Sequence, residues 1–281
     1  MESFLSNNQE TPQKWSQISW EFLSKVRQNS PLIHCITNYV SMDLAANTLL
    51  AAGASPAMLH SSDEIPDFTP QVDALYINVG TLTAAVLPAM KSAAEIAVKH
   101  GKSWVFDPVA AGCSSFRLRA CLDLLSLKPT VVRGNGSEII ALSRASMGDT
   151  KGADSLHESR DALEAAKSLA QATGAIVAVT GAVDIITDGI QVIGARNGVQ
   201  MMQKITATGC SVTALIAAFV AVDPTHAFEA TVAALSVFGI AGELGMQDAK
   251  GPASLRVNLI DSLYALDQVS ILQHAKISPL S

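Results

Sequence analysis

At 281 residues, 49% of them hydrophobic, the chain is long enough to bury the core of one large α/β domain or two small ones, and one domain is the better expectation. Its 19 basic and 25 acidic side chains give a formal net charge of -6 with no Lys/Arg-rich run, which argues against a nucleic-acid partner. Cys35, Cys113, Cys121 and Cys210 are scattered without a CxxC spacing, which suggests neither a zinc site nor a disulfide framework, and the longest apolar run, Val212 to Val222, is too short to span a bilayer. A soluble, cytoplasmic protein is expected.

Met1 to Trp15 is polar, with neither the apolar core of a signal peptide nor the Arg/Ser bias of a transit peptide. It reads as a flexible extension, residues 1–15, ahead of a single domain over 16–281. A first helix is expected around Ile18 to Gln28. Pro31 to Val40 reads as a strand breaking into a polar loop at Thr37-Asn38, and a helix from about Ser41 to Ala52 ends at Gly53. Ser55 to Leu59 is a short strand and Ala74 to Gly80 a buried one, followed by a helix from about Thr83 to His100. Strand Trp104 to Phe106 runs into Asp107-Pro108-Val109, and a helix covers Arg117 to Leu125. Strand Thr130 to Val132 runs into Arg133-Gly134-Asn135-Gly136-Ser137-Glu138, with a helix through Ile139 to Ala145.

A loop over Gly148 to Ser155 precedes a helix from about Leu156 to Thr173, and strand Ala175 to Val179 ends in Thr180-Gly181. Asp184 to Gly194 breaks the rhythm as a hairpin turning at Asp188-Gly189. From Ser211 to about Gln273 the pattern is almost wholly helical and should cover one face of the sheet. Near-continuous apolar strands alternating with helices predict an α/β fold with a mostly parallel central sheet and helices on both faces.

In such a sheet, ligands bind beyond the carboxyl ends of the strands. That edge collects Asn38, Met58, Asn78, Asp107, Arg133, Asn135, Glu138, Thr180 and the turn Thr206-Ala207-Thr208-Gly209-Cys210. Asp107 and Glu138 suit Mg²⁺ held through water, and Arg133 suits a phosphate clamp. The turn leads into a helix whose first N–H groups lack partners and, with the helix dipole, favour a phosphate or a developing negative charge. Gly209 admits a ligand close to the backbone, and the same field favours thiolate at Cys210. Taken singly the residues have plainer roles: Thr208 an ordinary N-cap, Cys210 a small buried hydrophobe, Met58 core filler, Arg133 and Glu138 a surface ion pair. Their gathering on one edge is what points to phosphoryl transfer. There is no GxxxxGK[ST], no GxGxxG after a strand, and no HxxxH or HExxH.

The segments Pro31 to Val40, Gly53 to Met58, Asn78 to Leu82, Asp107-Pro108-Val109, Val132 to Asn135 with Glu138, Val179-Thr180-Gly181 and Thr206 to Cys210 together resemble the hydroxyethylthiazole kinase family, ribokinase-like enzymes of thiamine salvage. The resemblance covers roughly residues 18 to 272. It implies a ribokinase-like fold and an ATP- and Mg²⁺-dependent kinase acting on the hydroxyl of 4-methyl-5-(2-hydroxyethyl)thiazole. It also implies a homotrimer with active sites between subunits. Position by position, Met58 matches a thiazole contact, and Asn38 a position reaching the substrate from the neighbouring subunit. Arg133, Thr180, Asn135 and Gly209 fall at ATP-binding positions, and Asp107 and Glu138 near Mg²⁺ and the phosphates. Cys210 stands where most of the superfamily has an Asp general base. Ala207, at a substrate-contacting position, replaces the first Gly of the family's Thr-Gly-x-Gly-Cys turn, and Ala110-Ala111-Gly112 follows Asp-Pro-Val where the family usually has Gly. Two rivals stay open at this point: another ribokinase-like kinase, such as a hydroxymethylpyrimidine kinase, and a non-catalytic nucleotide-binding sensor.

Overall fold

The computed structural model describes residues 12–148 and 158–280. Helix α1 (Pro12–Asn29) precedes β1 (Leu32–Ile36), α2 (Met42–Ala52), β2 (Ser55–Ala57) and the short α3 (Ile65–Phe68). Then come β3 (Ala74–Asn78), α4 (Leu87–Lys99), β4 (Ser103–Asp107), α5 (Ser115–Leu125), β5 (Val131–Asn135) and α6 (Gly136–Ser146). Helix α7 (Glu158–Thr173) leads to β6 (Ile176–Thr180), β7 (Asp184–Thr187) and β8 (Val192–Ala195). Helices α8 (Thr208–Val222), α9 (Ala227–Gln247), α10 (Pro252–Ala265) and α11 (Gln268–His274) follow, and β9 (Ile277–Pro279) comes last.

The strands form one sheet in the order β2-β1-β3-β4-β5-β6-β7-β8-β9. The first six pair in parallel, and β7, β8 and β9 add in antiparallel fashion. Side-chain alternation explains the layering. Ala74, Tyr76, Val105 and Val131 point to the face covered by α1, α2, α8 and α9, whereas Leu75, Ile77, Trp104, Phe106 and Val132 point to the face covered by α4 to α7. With both faces dry, the strands read as unbroken apolar runs. Each fully buried side chain such as Phe106, Phe219 or Leu23 stabilises the fold by roughly 1.5–3 kcal/mol.

The differences from the sequence reading have local causes. Helix α1 begins at Pro12, ahead of the expected boundary at residue 16, because Trp15 is buried on the helix stripe that also carries Phe22, Leu23 and Val26, and packs edge-on against Phe228. Helix α4 begins at Leu87 rather than near Thr83, with a proline in its first turn. The expected loop 148–155 and helix start at 156 lie largely outside the described residues. The hairpin forms as expected, with Gly189 at φ 93° and the Asp188 carboxylate accepting from the N–H groups of Ile190 and Gln191. Strand β9 was not anticipated. Among the described residues, Pro224–Gln247 is long and apolar enough to cross a membrane, but 78% of that window is buried inside the protein, as in a core helix.

Candidate active site

The parallel pairing puts the expected polar residues side by side, Asn78 opposite Asp107 and Asn135 opposite Thr180. Asp107 is wholly buried, and its Oδ2 accepts from Asn78 Nδ2 at 2.8 Å and from Thr213 Oγ1 at 3.0 Å. Its Oδ1 has no partner. A carboxylate left half-satisfied in a dry core is costly, and burial raises Asp107 to about 6, Glu138 adding repulsion while Arg133 and the two donors pull it back. Asn78 sits within 3.3 Å of Cys210 Sγ, and Asn38 Nδ2 donates to Asn78 Oδ1 at 2.8 Å and lies 3.5 Å from the same sulfur. Gly80 makes room for this cluster, because a Cβ there would come within 2.5 Å of Asn38 Nδ2.

Within its own chain Asn38 thus sits in one cluster with Asn78 and Cys210. Its position is fixed by its own loop, since Asn38 Oδ1 also accepts from the N–H groups of Val40 and Ser41 at 3.0 Å. Arg117 ties the adjoining loops together by donating to the carbonyls of Val79, Gly80 and Val109.

Arg133 is buried beside Asp107, with Nη1 3.9 Å from Oδ2, and Nη2 donates to Thr180 Oγ1. Its guanidinium lies against Gly209, where an added Cβ would come 2.7 Å from Nη1. Glu138 does not pair with Arg133. It closes a capping box on α6, taking the Asn135 N–H on Oε2 and the Ala110 N–H on Oε1, each at 2.8 Å, while Asn135 Oδ1 accepts the Glu138 N–H.

Helix α8 starts without a side-chain cap. Thr208 is not the N-cap, because its hydroxyl points back to the carbonyls of Met202 and Ile205. The N-cap is Ala207, in the left-handed region at φ 69° and ψ 4°. This departure from Gly carries strain of about 1–2 kcal/mol, partly offset by the roughly 0.4–1 kcal/mol of extra freedom a glycine gives the unfolded chain. Ala207→Gly is therefore expected to raise stability by about 0.5–1 kcal/mol, read from urea midpoints, and a loss of stability would contradict the strained geometry.

The pull of the helix start toward thiolate at Cys210 is opposed by its surroundings. Burial, and after it the Asp107 charge, pushes the thiol above its ordinary value, with the Asn38 and Asn78 amides and Arg133 pulling it only partly back. Met58 is partly buried against the core, with Thr37 Oγ1 3.9 Å from its sulfur.

Behind Arg133 opens a cavity of about 670 Å³, lined by Arg133, Asn135, Thr180 and Gly209 together with apolar Val212, Leu235 and Phe238. Asn38, Met58, Asp107 and Cys210 are not in its lining, so Arg133, beside Asp107, and Gly209 stand between the cavity and the Asp107–Cys210 cluster. Residues absent from the sequence reading include Tyr76 and Thr213 around Asp107, and Asp184, Asn197 and Gly198 in the cavity wall. Burial raises Asp184 to about 6 although it accepts the Gly181 N–H at 2.9 Å. Thr213, three positions after Cys210 and so on the same face of α8, was the one with a usable signal. Among the described residues, no three His, Cys, Asp or Glu side chains cluster as a ready-made metal site.

The profile of the hydroxyethylthiazole kinase family matches residues 23–269. A hydroxyethylthiazole kinase of Arabidopsis thaliana is 63% identical over 267 residues, covering 95% of this chain and 97% of that protein. One of Zea mays is 60% identical, covering 94% of each. The solved hydroxyethylthiazole kinase of Pyrococcus horikoshii superposes with a TM-score of 0.88 at 40% identity, over 94% of this chain and 100% of that one. At the level of fold alone, a Staphylococcus aureus pyridoxal kinase solved with AMP-PCP and pyridoxal aligns at a TM-score of 0.59 and 16% identity, covering 79% of this chain and 91% of that one. With Asp107, Arg133, Glu138, Thr180 and the Gly209-Cys210 turn meeting on one edge of a mostly parallel sheet, the chain belongs to the hydroxyethylthiazole kinase family, a family of phosphotransferases.

Proposed function

We propose that the chain transfers the γ-phosphoryl group of ATP to the side-chain hydroxyl of 4-methyl-5-(2-hydroxyethyl)thiazole, a step of thiamine salvage. The observation that carries the reading is the position of Arg133, between Thr180 on the cavity side and Asp107 on the other, against the uncapped start of α8. A triphosphate in the cavity presents its terminal group there, where the guanidinium fork and the free N–H groups of α8 meet its charge. The alcohol approaches from the Asn38 and Met58 side, with Ala207 supplying backbone at the turn. A loose phosphoryl transfer asks mainly for position and charge stabilisation. Cys210, held by Asn38 and Asn78 and with its thiol pushed up by burial, fits that demand by shaping the place of the hydroxyl rather than stripping its proton.

The carboxylates fit one Mg²⁺. The unpartnered Asp107 Oδ1 and the mutual repulsion of Asp107 and Glu138 are both features a divalent cation relieves. Glu138, with each oxygen already taken by a backbone N–H, would act through water. Asp107 and Glu138 would hold such an ion, whose charge would offset that of the phosphates. A homotrimer is part of the reading, supported by the exposed Tyr39 and Val40, 73% and 61% accessible, beside the Asn38 cluster. The cytoplasm is its place of action, in keeping with four free cysteines.

The test is ADP release from Mg-ATP with the thiazole alcohol beside hydroxymethylpyrimidine. Release with the first alone is expected. Release with the second alone transfers the chain to the pyrimidine reading, and a ligand-induced melting shift without ADP formation marks a sensor.

A further inference from the structure

One wall of the cavity comes from no strand end. Residues 197–203, which link β8 to α8, supply it through Asn197, Gly198, Val199, Met202 and their neighbours. This segment rests on one side of α9. A Cβ at Gly239 would fall 2.6 Å from Asn197 Cβ, and one at Gly242 would strike Met202 Sδ, so bare helix backbone is needed for the segment to seat. Directly after these contacts stands Glu243, in the last part of a helix whose other carboxylate, Glu229, lies in the first turn.

Glu243 is the point where the wall is tied down. Its Oε1 accepts the Gly198 N–H at 2.9 Å and lies 3.3 Å from Asn197 Nδ2, and Lys276 Nζ reaches both its oxygens at 3.0 and 2.9 Å. Gly198 has φ 116°, a conformation that side chains rarely adopt, so its N–H can aim at Glu243 only from this backbone. The Asn197 side chain is fully engaged: Oδ1 accepts from Ser236 Oγ and from the Lys276 N–H at 2.9 Å each, and Nδ2 also donates to the His274 carbonyl at 2.8 Å. Such a network holds its members in one arrangement and weakens sharply when one acceptor is removed. Glu243 itself is absent from the cavity lining.

We infer that Glu243 is a positioning residue for nucleotide binding, holding the 197–203 wall at the spacing the nucleotide needs through the Gly198 N–H and the Asn197 side chain. The inference rests on the reading of the cavity as the ATP side of the site. Glu243 touches neither substrate nor reacting atoms, so its removal should act on ATP affinity and leave the chemical step and the alcohol site in place.

The experiment compares wild type with Glu243→Ala, Glu243→Gln and Arg133→Ala, measuring kcat and both KM values with Mg-ATP and the thiazole alcohol, and the melting shift with ADP. Glu243→Ala should raise the ATP KM about tenfold, with kcat at saturating ATP and the alcohol KM within about twofold of wild type, and should shrink the ADP-induced shift. Glu243→Gln, which keeps an oxygen for the Gly198 N–H, should recover most of the loss. An ATP KM unchanged in Glu243→Ala but raised in Arg133→Ala overturns the inference and leaves the nucleotide reading standing. An ATP KM unchanged in Arg133→Ala overturns both. Equal losses in kcat and in both KM values overturn it too, since they report general structural damage. If Glu243→Ala does not fold, Ser236→Ala, which frees Asn197 Oδ1 from its hydroxyl donor, should raise the ATP KM by two- to threefold, and no change there overturns the inference.

Discussion

Asp107→Asn is expected to lower kcat by roughly 10²–10³-fold while leaving the metal-free protein at least as stable as wild type above pH 6. The two effects have one origin. Asp107 is dry, has one unpartnered oxygen and repels Glu138, so its carboxyl is raised from 3.8 to about 6. Between about pH 4 and pH 6 the folded protein keeps a proton that the unfolded chain has lost. The group's contribution is therefore fully present below pH 4, declines as pH rises through that window, and is gone above pH 6. The amide removes this penalty, of the order of 1–3 kcal/mol at neutral pH, against the lost attraction to Arg133. It also removes the charge that would face a metal ion. Urea midpoints at pH 5 and pH 8 read the stability side. If Asp107→Asn destabilises equally at both, the carboxylate is an ordinary structural acceptor and its place in the chemistry is lost.

Gly209→Ala should raise the ATP KM about 10- to 100-fold without destabilising the protein. The new methyl carbon would sit 2.7 Å from Arg133 Nη1 and 3.0 Å from Nη2, so the guanidinium must leave the start of α8. Because what moves is the end of a long side chain, the fold can absorb the change, and Ala in place of Gly in the first turn of a helix adds up to about 1 kcal/mol of stability. Arg133→Ala should give a similar ATP KM, and the double variant much less than the product of the two, since both disturb one contact. Additive losses would place the two residues in separate sites.

The alternation of strands and helices was largely legible because both faces of the sheet are dry, whereas the strand order came only from the fold. Each central strand is a run of apolar residues that ends in a polar one, and the polar ends became Asn78, Asp107, Asn135 and Thr180. Strand β9 was not legible, since three residues at the sheet edge are recruited by backbone pairing with β8 more than eighty positions earlier. Cys210 shows the other limit. Its place at a helix start is a local fact, but the burial and the Asp107 charge that push its thiol up come from distant chain segments. Ala207 could be seen as a departure from Gly, whereas its left-handed backbone required coordinates. Glu243 left one faint trace, an acid in the apolar second half of a long helix, and its partners at 197, 198 and 276 gave no signal in local pattern.

The closing strand has a practical bearing. The Leu280 N–H bonds to the Val192 carbonyl at 3.0 Å, the Leu280 side chain lies over Gly194, and Lys276 grips Glu243. Trimming by a carboxypeptidase, or an affinity handle that pulls residues 276–280 off the sheet, should thus be felt first as weaker retention on an ATP resin, with the alcohol's handling unaltered.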